Sequence, residues 1–187
     1  MPSRWRRPRF SGPSRWTITW TPSARCWTNT AIRSPDSNTG CGGWRRAGLA
    51  DEPPVFAHGD YRMGNIMVDG RGLVGILDWE VGHRGDRYVD LSWPSVRAWR
   101  FGRDATPLAG VGQREDFYRA YEEAGGAPVD RAAVHYWEVL GTLRWGIMCM
   151  TIGQQFTSGR ERSVEKAVIG RRVAETELDF LSMLDPL

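Results

Sequence analysis

Three oxygen-bearing side chains with spacing suited to metal and phosphate chemistry lie between residues 58 and 80 of this 187-residue chain. Asp60 lies five residues before Asn65 in the segment HGDYRMGN, and Asp78 begins the segment DWE. Carboxylate and amide oxygens are hard ligands that suit Mg²⁺, an ion that also keeps waters and substrate phosphates in its shell. The three residues therefore predict a magnesium site.

A β-hairpin is predicted between these residues, and it explains how they meet. Apolar runs at residues 66–68 and 73–77 flank the turn sequence DGRG. Asn65 begins the first strand and Asp78 ends the second, so the antiparallel pairing places them at the same end of the hairpin. Asp60 lies in the loop that enters this end.

The other elements are a few short strands followed by helices. Residues 55–57 predict a strand, and helices are predicted from Asp90 to about residue 99, over 113–124, over about 131–156 and over 163–184. Asp90, Asp130 and Ser163 are the predicted N-caps. The expected buried faces are Phe117, Ala120 and Tyr121 on the second helix, and Tyr136, Leu140, Leu143, Ile147 and Met150 on the third. This order predicts an α+β fold.

The segments HGDYRMGN, ILDWE and GDRYVDL together resemble the aminoglycoside phosphotransferase and choline kinase-like family, which shares its fold with protein kinases. The kinase catalytic loop has the same Asp-x4-Asn spacing, followed by a metal-binding Asp. The resemblance covers about residues 51–185 and implies a protein-kinase-like C-terminal lobe. It also implies transfer of the γ-phosphoryl group of ATP, a co-substrate bound with Mg²⁺, to the hydroxyl of a small molecule.

The same resemblance implies a role for each site residue. Asp60 is the catalytic base for the acceptor hydroxyl, and His58 supports the catalytic loop through hydrogen bonds. Asn65 and Asp78 hold Mg²⁺ on the ATP phosphates. The structural acids behind the site are Asp86 and Asp90.

A subgroup is also indicated. Three segments are similar in sequence to kinase-like domains fused to, or encoded beside, acyl-CoA dehydrogenases: residues 61–65, 78–80 and 99–102. That similarity implies a hydroxyacyl-CoA as the phosphate acceptor.

Charge divides the chain at residue 50. Residues 1–50 hold nine Arg and a single acid, Asp36, for a charge of +8, whereas residues 51–187 hold 16 basic residues and 21 acids, for a charge of −5. The chain has one lysine, Lys166. The N-terminal lobe of the resembling family carries a Lys that pairs the ATP phosphates, and no Lys precedes Asp60.

We therefore predict that the N-terminal lobe is missing. Residues 17–21 predict a short strand, with no partner in view. Residues 1–50 are interpreted as a disordered tail or as a segment outside the native reading frame; their composition also fits an organelle transit peptide or a nucleic-acid-binding arm. The chain is expected to be weakly active or inactive alone, and the rival interpretation is a non-catalytic pseudokinase-like binding module or a gene fragment.

Several classes of protein are disfavoured by composition. Cys26, Cys41 and Cys149 are odd in number and far apart, which argues against a zinc site or a disulfide framework and for a cytoplasmic setting. The most apolar stretch, residues 139–153, is interrupted by Arg144 and is shorter than the roughly 18 residues of a membrane helix. No recognition motif supports nucleic-acid binding. A lobe without its partner exposes apolar surface, so self-association is predicted.

Overall fold

The computed structural model of this protein describes residues 53–184 and, ahead of them, two short strands, β1 (Thr17–Thr19) and β2 (Ala31–Arg33). These strands pair antiparallel, with Thr17 opposite Arg33. β1 is the strand predicted at residues 17–21, and its partner β2 carried no sequence signal. The other predictions for residues 1–50 lie outside the described residues. Chain contacts separate residues 1–50 and 51–187 into two compact units.

Four short strands of the second unit form two antiparallel pairs. β3 (Val55–Ala57) pairs with β6 (His83–Gly85), and β4 (Ile66–Asp69) pairs with β5 (Gly72–Ile76). Ile66 lies opposite Ile76, and Asp69 lies opposite Gly72 next to the tight turn. The φ angle of +113° at Gly72 is one that residues with a Cβ rarely adopt, which explains the glycine in this turn. The predicted hairpin is confirmed.

Helices make up most of the remainder, so the α+β class is confirmed. Within the described region they are α1 (Tyr88–Ser92), α2 (Arg114–Glu123), α3 (Arg131–Thr157), α4 (Val164–Arg171) and α5 (Val173–Leu184). Asp130 caps α3 by accepting from the Ala132 N–H at 2.9 Å, and Ser163 accepts from the Lys166 N–H at 3.5 Å. Both of these predicted caps are confirmed. No helix in the described part of the chain has the length and apolarity needed to cross a membrane.

The helix predicted from Asp90 to residue 99 is wrong in extent and in its cap. α1 ends at Ser92, and two 3-10 turns follow, Trp93–Ser95 and Arg97–Arg100. Pro94 has no N–H for an α-helical bond, which favours the change of geometry there. Asp90 lies inside α1 rather than at its start. The Tyr88 N–H at the beginning of α1 donates instead to Asp86 Oδ1 at 3.0 Å.

The last predicted helix is divided at Arg172, whose N–H donates to the Ile169 carbonyl at 3.0 Å in a tight turn. Both halves pack on α3 through close contacts. A Cβ on Gly153 would lie 2.8 Å from the Gly170 Cα, and a Cβ on Gly146 would lie 2.8 Å from the Thr176 Oγ1. The bend thus allows α4 and α5 each to approach α3 where it carries a glycine.

The buried face of α3 is not the predicted apolar stripe. Met150 is 58% exposed, and the other four predicted residues are half-buried. The buried residues of α3 are Ala133, Val134, Glu138, Val139, Gly141, Thr142, Trp145 and Cys149. A small residue is needed on this face because a Trp side chain approaches closely: a Cβ on Gly141 would lie 3.2 Å from the Trp93 Cε3.

The face predicted for α2 is also wrong, because its buried residue is Tyr118 and Ala120 is exposed. A tryptophan-rich core lies between α3 and the 3-10 turns. It consists of Trp93, Val96, Ala98, Trp99, Trp145 and Cys149. This core lies directly behind the predicted site, because the Trp93 indole reaches Asp60.

Candidate active site

The loop after β3 is held by one carboxylate from α1. The backbone N–H of His58 donates to Asp90 Oδ2 at 2.6 Å, and that of Gly59 donates to Asp90 Oδ1 at 2.8 Å. Gly59 has φ +82°, and a Cβ there would lie 2.8 Å from the Val81 carbonyl oxygen. The position therefore requires glycine. Asp90 supports the loop from behind, whereas Asp86 accepts from the Tyr88 N–H at the start of α1.

The ring of His58 joins this loop to the end of β5. Its Nδ1 accepts from the Asp60 N–H at 3.1 Å, and its Nε2 lies 2.7 Å from the Leu77 carbonyl oxygen. Because a backbone N–H only donates and a carbonyl only accepts, the proton is assigned to Nε2. With an exposed fraction of 2%, His58 acts in this geometry as a support for Asp60.

The carboxylate of Asp60 is bound by three side chains. Asn65 Nδ2 donates to Oδ2 at 2.8 Å, and Trp93 Nε1 donates to Oδ1 at 2.7 Å. Arg62 Nε contacts both oxygens, at 3.3 and 3.1 Å. The structure thus brings Asp60 and Asn65 together. Arg62 and Trp93 were missed by sequence reasoning, although Arg62 lies inside the motif.

A 3-10 turn at Met63–Asn65 returns Asn65 toward Asp60. The Asn65 side chain is buried, and its Nδ2 also donates to the Asp60 carbonyl at 2.9 Å. Since the nitrogen end of the amide faces Asp60, the oxygen end points away from it. The Asn65 carbonyl accepts from the Leu77 N–H at 2.8 Å, which places Asn65 beside the residue that precedes Asp78.

Asp78 is exposed and has a left-handed backbone, with φ 65° and ψ 58°. Within the described residues, no hydrogen bond or ion pair engages its carboxylate. Residues other than glycine are uncommon in this region, and such backbone positions are frequent at functional sites. The amide oxygen of Asn65 and the carboxylate of Asp78 fit Mg²⁺, which takes few protein ligands besides waters and phosphates. Among the described residues, no group of three or more His, Cys, Asp or Glu forms a metal cage.

Arg144 on α3 is a further residue that sequence reasoning missed. Its Nη1 donates to the Gly59 carbonyl at 2.9 Å, and its guanidinium lies 4.7 Å from the centre of the Trp93 ring. Burial lowers the pKa of Arg144, and the negative charges of Asp60 and Asp90 oppose that effect. An arginine inside the most apolar helical stretch was the available signal, because a buried charge requires partners.

A protein-family model, described as the phosphotransferase enzyme family, matches residues 39–128 of the sequence. The matched segment contains the loop with Asp60 and Asn65, the hairpin with Asp78, and the two acids Asp86 and Asp90. The match confirms the resemblance to the aminoglycoside phosphotransferase-like family over this segment. It begins at residue 39, ahead of the boundary at residue 51 predicted from composition. The association with acyl-CoA dehydrogenases stays a prediction.

Proposed function

We propose that this chain carries the phosphoryl-transfer site of an ATP- and Mg²⁺-dependent phosphotransferase that acts on a small-molecule hydroxyl. The family match supports a kinase-like phosphotransferase in general. The observation that carries the finer proposal is the Asp60 carboxylate bound between Trp93 and Asn65. Asp78, whose carboxylate is exposed, directly follows Leu77, and the Leu77 N–H donates to the Asn65 carbonyl.

In this proposal Asp60 accepts the proton of the acceptor hydroxyl while the acceptor oxygen bonds to the γ-phosphorus and ADP leaves. Asn65 and Asp78 would hold Mg²⁺, which neutralises charge on the phosphates when it is bound. The Arg62 contacts are the longest at the carboxylate, so an incoming hydroxyl displaces Arg62 first. Trp93 and Asn65 stay in place during the transfer.

The proposed acceptor is a hydroxyacyl-CoA. The support for it is the sequence similarity of residues 61–65 and 99–102 to the kinase-like domains associated with acyl-CoA dehydrogenases. These two segments meet in the structure, because the Arg62 guanidinium lies 5.1 Å from the centre of the Trp99 ring. Arg62 and Trp99, one residue from each segment, are therefore in contact beside Asp60.

Slow transfer by this chain is proposed because the described residues provide no lysine at the site. Lys166 lies on α4, where it bonds to Glu161 and to Gln155 Oε1. The second candidate function, a non-catalytic pseudokinase-like binding module, is favoured by the same observation. Nucleotide binding and phosphoryl transfer separate the two candidates.

The Asp78→Asn variant is expected to weaken Mg²⁺-dependent ATP binding by about 10–100-fold. Loss of a group that only hydrogen-bonds to a metal ligand typically has an effect of this size, and loss of a ligand itself should have at least the same effect. Asp69→Asn is the matched control, because Asp69 is an exposed acid at the opposite end of the same hairpin. Isothermal titration calorimetry with ATP, in the presence and absence of Mg²⁺, measures both variants. Equal affinity in Asp78→Asn and Asp69→Asn contradicts the assigned metal site.

The hairpin leads to a prediction about self-association. Leu73 and Val74 are consecutive residues of β5 and are 62% and 54% exposed, so both faces of the hairpin present apolar side chains to solvent. The exposed apolar surface around the site includes Phe56, Met67, Val68, Leu73, Val74, Leu77 and Trp79. β4 and β5 have no further strand beside them among the described residues, so their edges are also open.

We expect sedimentation velocity to show concentration-dependent self-association that Val74→Lys reduces. Val164→Lys is the matched control, since Val164 on α4 is 79% exposed and lies outside this surface. A monodisperse monomer at all concentrations, or equal effects of the two variants, argues against association through the hairpin.

A further inference from the structure

We propose that Trp93 is a positioning residue that fixes the orientation of the Asp60 carboxylate. This inference rests on the proposed function of Asp60 as the base. The Trp93 Nε1 lies 2.7 Å from Asp60 Oδ1, across 33 residues of sequence. An indole N–H is a donor only, and a hydrogen bond from it to a carboxylate is charge-assisted and therefore among the stronger ones.

The Trp93 ring is itself held rigidly. Its exposed fraction is 2%, and it packs so closely on α3 that a Cβ on Gly141 would lie only 3.2 Å from its Cε3 atom. The Arg144 guanidinium stacks on the ring, and the Trp99 ring centre is 5.3 Å away. Because close packing leaves the ring no alternative position, the direction of its N–H bond is fixed by the core.

The carboxylate is fixed because its two oxygens are held by different elements. Trp93 holds Oδ1 from the turn after α1, and Asn65 holds Oδ2 from the turn before β4. Rotation about the Cβ–Cγ bond of Asp60 breaks both bonds at once. Arg62 does not replace Trp93, since its Nε contacts are longer and its side chain is 30% exposed. With Trp93 removed, one short bond remains and the carboxylate turns.

The same core provides matched controls. The Nε1 atoms of Trp99 and Trp145 are buried and have no hydrogen-bond partner within the part of the chain that the structure describes. Trp145 is 7% exposed and packs against Trp99 at 4.7 Å between ring centres. A Trp→Phe change at position 145 therefore removes ring volume from the core without removing a bond to Asp60.

The test compares Trp93→Phe with Trp145→Phe by hydrogen exchange of the Asn65 side-chain amide, followed by ¹H–¹⁵N NMR. Loss of the Trp93 bond is expected to speed that exchange by about tenfold or more, because the freed carboxylate no longer holds Asn65 Nδ2 steadily. Trp145→Phe leaves the exchange rate near that of the unmodified chain. Replacement of Trp93 by 3-benzothienylalanine, which keeps the ring shape and lacks the N–H, is the second variant if Trp93→Phe does not fold.

Phosphoryl transfer supplies the second readout. Trp93→Phe is expected to lower the turnover number about tenfold with an unchanged KM for ATP, whereas Trp145→Phe changes neither. Equal amide exchange in the Trp93 and Trp145 variants overturns the inference, whether or not transfer is measurable. Full transfer by Asp60→Asn overturns the proposed base instead, and the exchange measurement still decides the orienting contact of Trp93.

Discussion

Asp60→Asn is expected to lower the rate of phosphoryl transfer by about 10²–10⁴-fold, the usual contribution of a positioned general base. A carboxamide does not take up the hydroxyl proton. Its new NH₂ group also faces a donor in either orientation, Asn65 Nδ2 on one side or Trp93 Nε1 on the other. The variant thus loses the base and one of its two orienting bonds.

Single-turnover transfer from ATP labelled at the γ-phosphate measures this effect, with a hydroxyacyl-CoA and an aminoglycoside offered in parallel as acceptors. Asp69→Asn is the control, and it should transfer at the rate of the unmodified chain. Transfer by Asp60→Asn at that same rate contradicts the role of Asp60. Binding of Mg²⁺-ATP without transfer in the unmodified chain favours the non-catalytic binding module.

The parts of the site that sequence predicts are those that local spacing determines. Asn65 follows Asp60 by five residues, so a single turn brings its amide to the carboxylate. The hairpin register places Leu77 beside Asn65, and Asp78 comes next. The caps at Asp130 and Ser163 are local in the same way, since each side chain bonds within three residues of its own position.

The parts that sequence does not predict depend on contacts between distant residues. Trp93 reaches Asp60 across 33 residues and Arg144 reaches Gly59 across 85, and no local pattern marks either pairing. The buried face of α3 was not predicted because Gly141, Thr142 and Glu138 are not apolar. Gly141 is buried because it packs against the Trp93 ring, and Thr142 is buried because its hydroxyl donates to the Glu138 carbonyl. The Glu138 carboxylate is buried because it pairs with two arginines.

Substitution of Glu138 gives the largest expected change in stability. Glu138→Ala should lower the free energy of unfolding by about 3–5 kcal/mol, the cost of removing one partner from a buried ion pair. Glu138 is 3% exposed and bonds to Arg114 and, at 3.2 Å, to Arg100. Arg114 opens α2 and Arg100 ends the second 3-10 turn, so this one carboxylate joins both to α3. Chemical denaturation measures the loss, with Glu177→Ala, an exposed glutamate on α5, as the control.

The pH dependence of stability separates the charge of Glu138 from its packing. Burial raises the pKa of Glu138 above its ordinary value of 4.5, while Arg114 and Arg100 oppose the rise. A carboxyl whose pKa is higher in the folded state contributes most stability when it is protonated in both states, below pH 4.5, and that contribution declines as pH rises through the folded pKa. The difference in unfolding free energy between the unmodified chain and Glu138→Gln, which does not titrate, should therefore shrink as pH increases from this range. A difference that grows with pH would show that the two arginines outweigh burial and hold the carboxylate in its charged form.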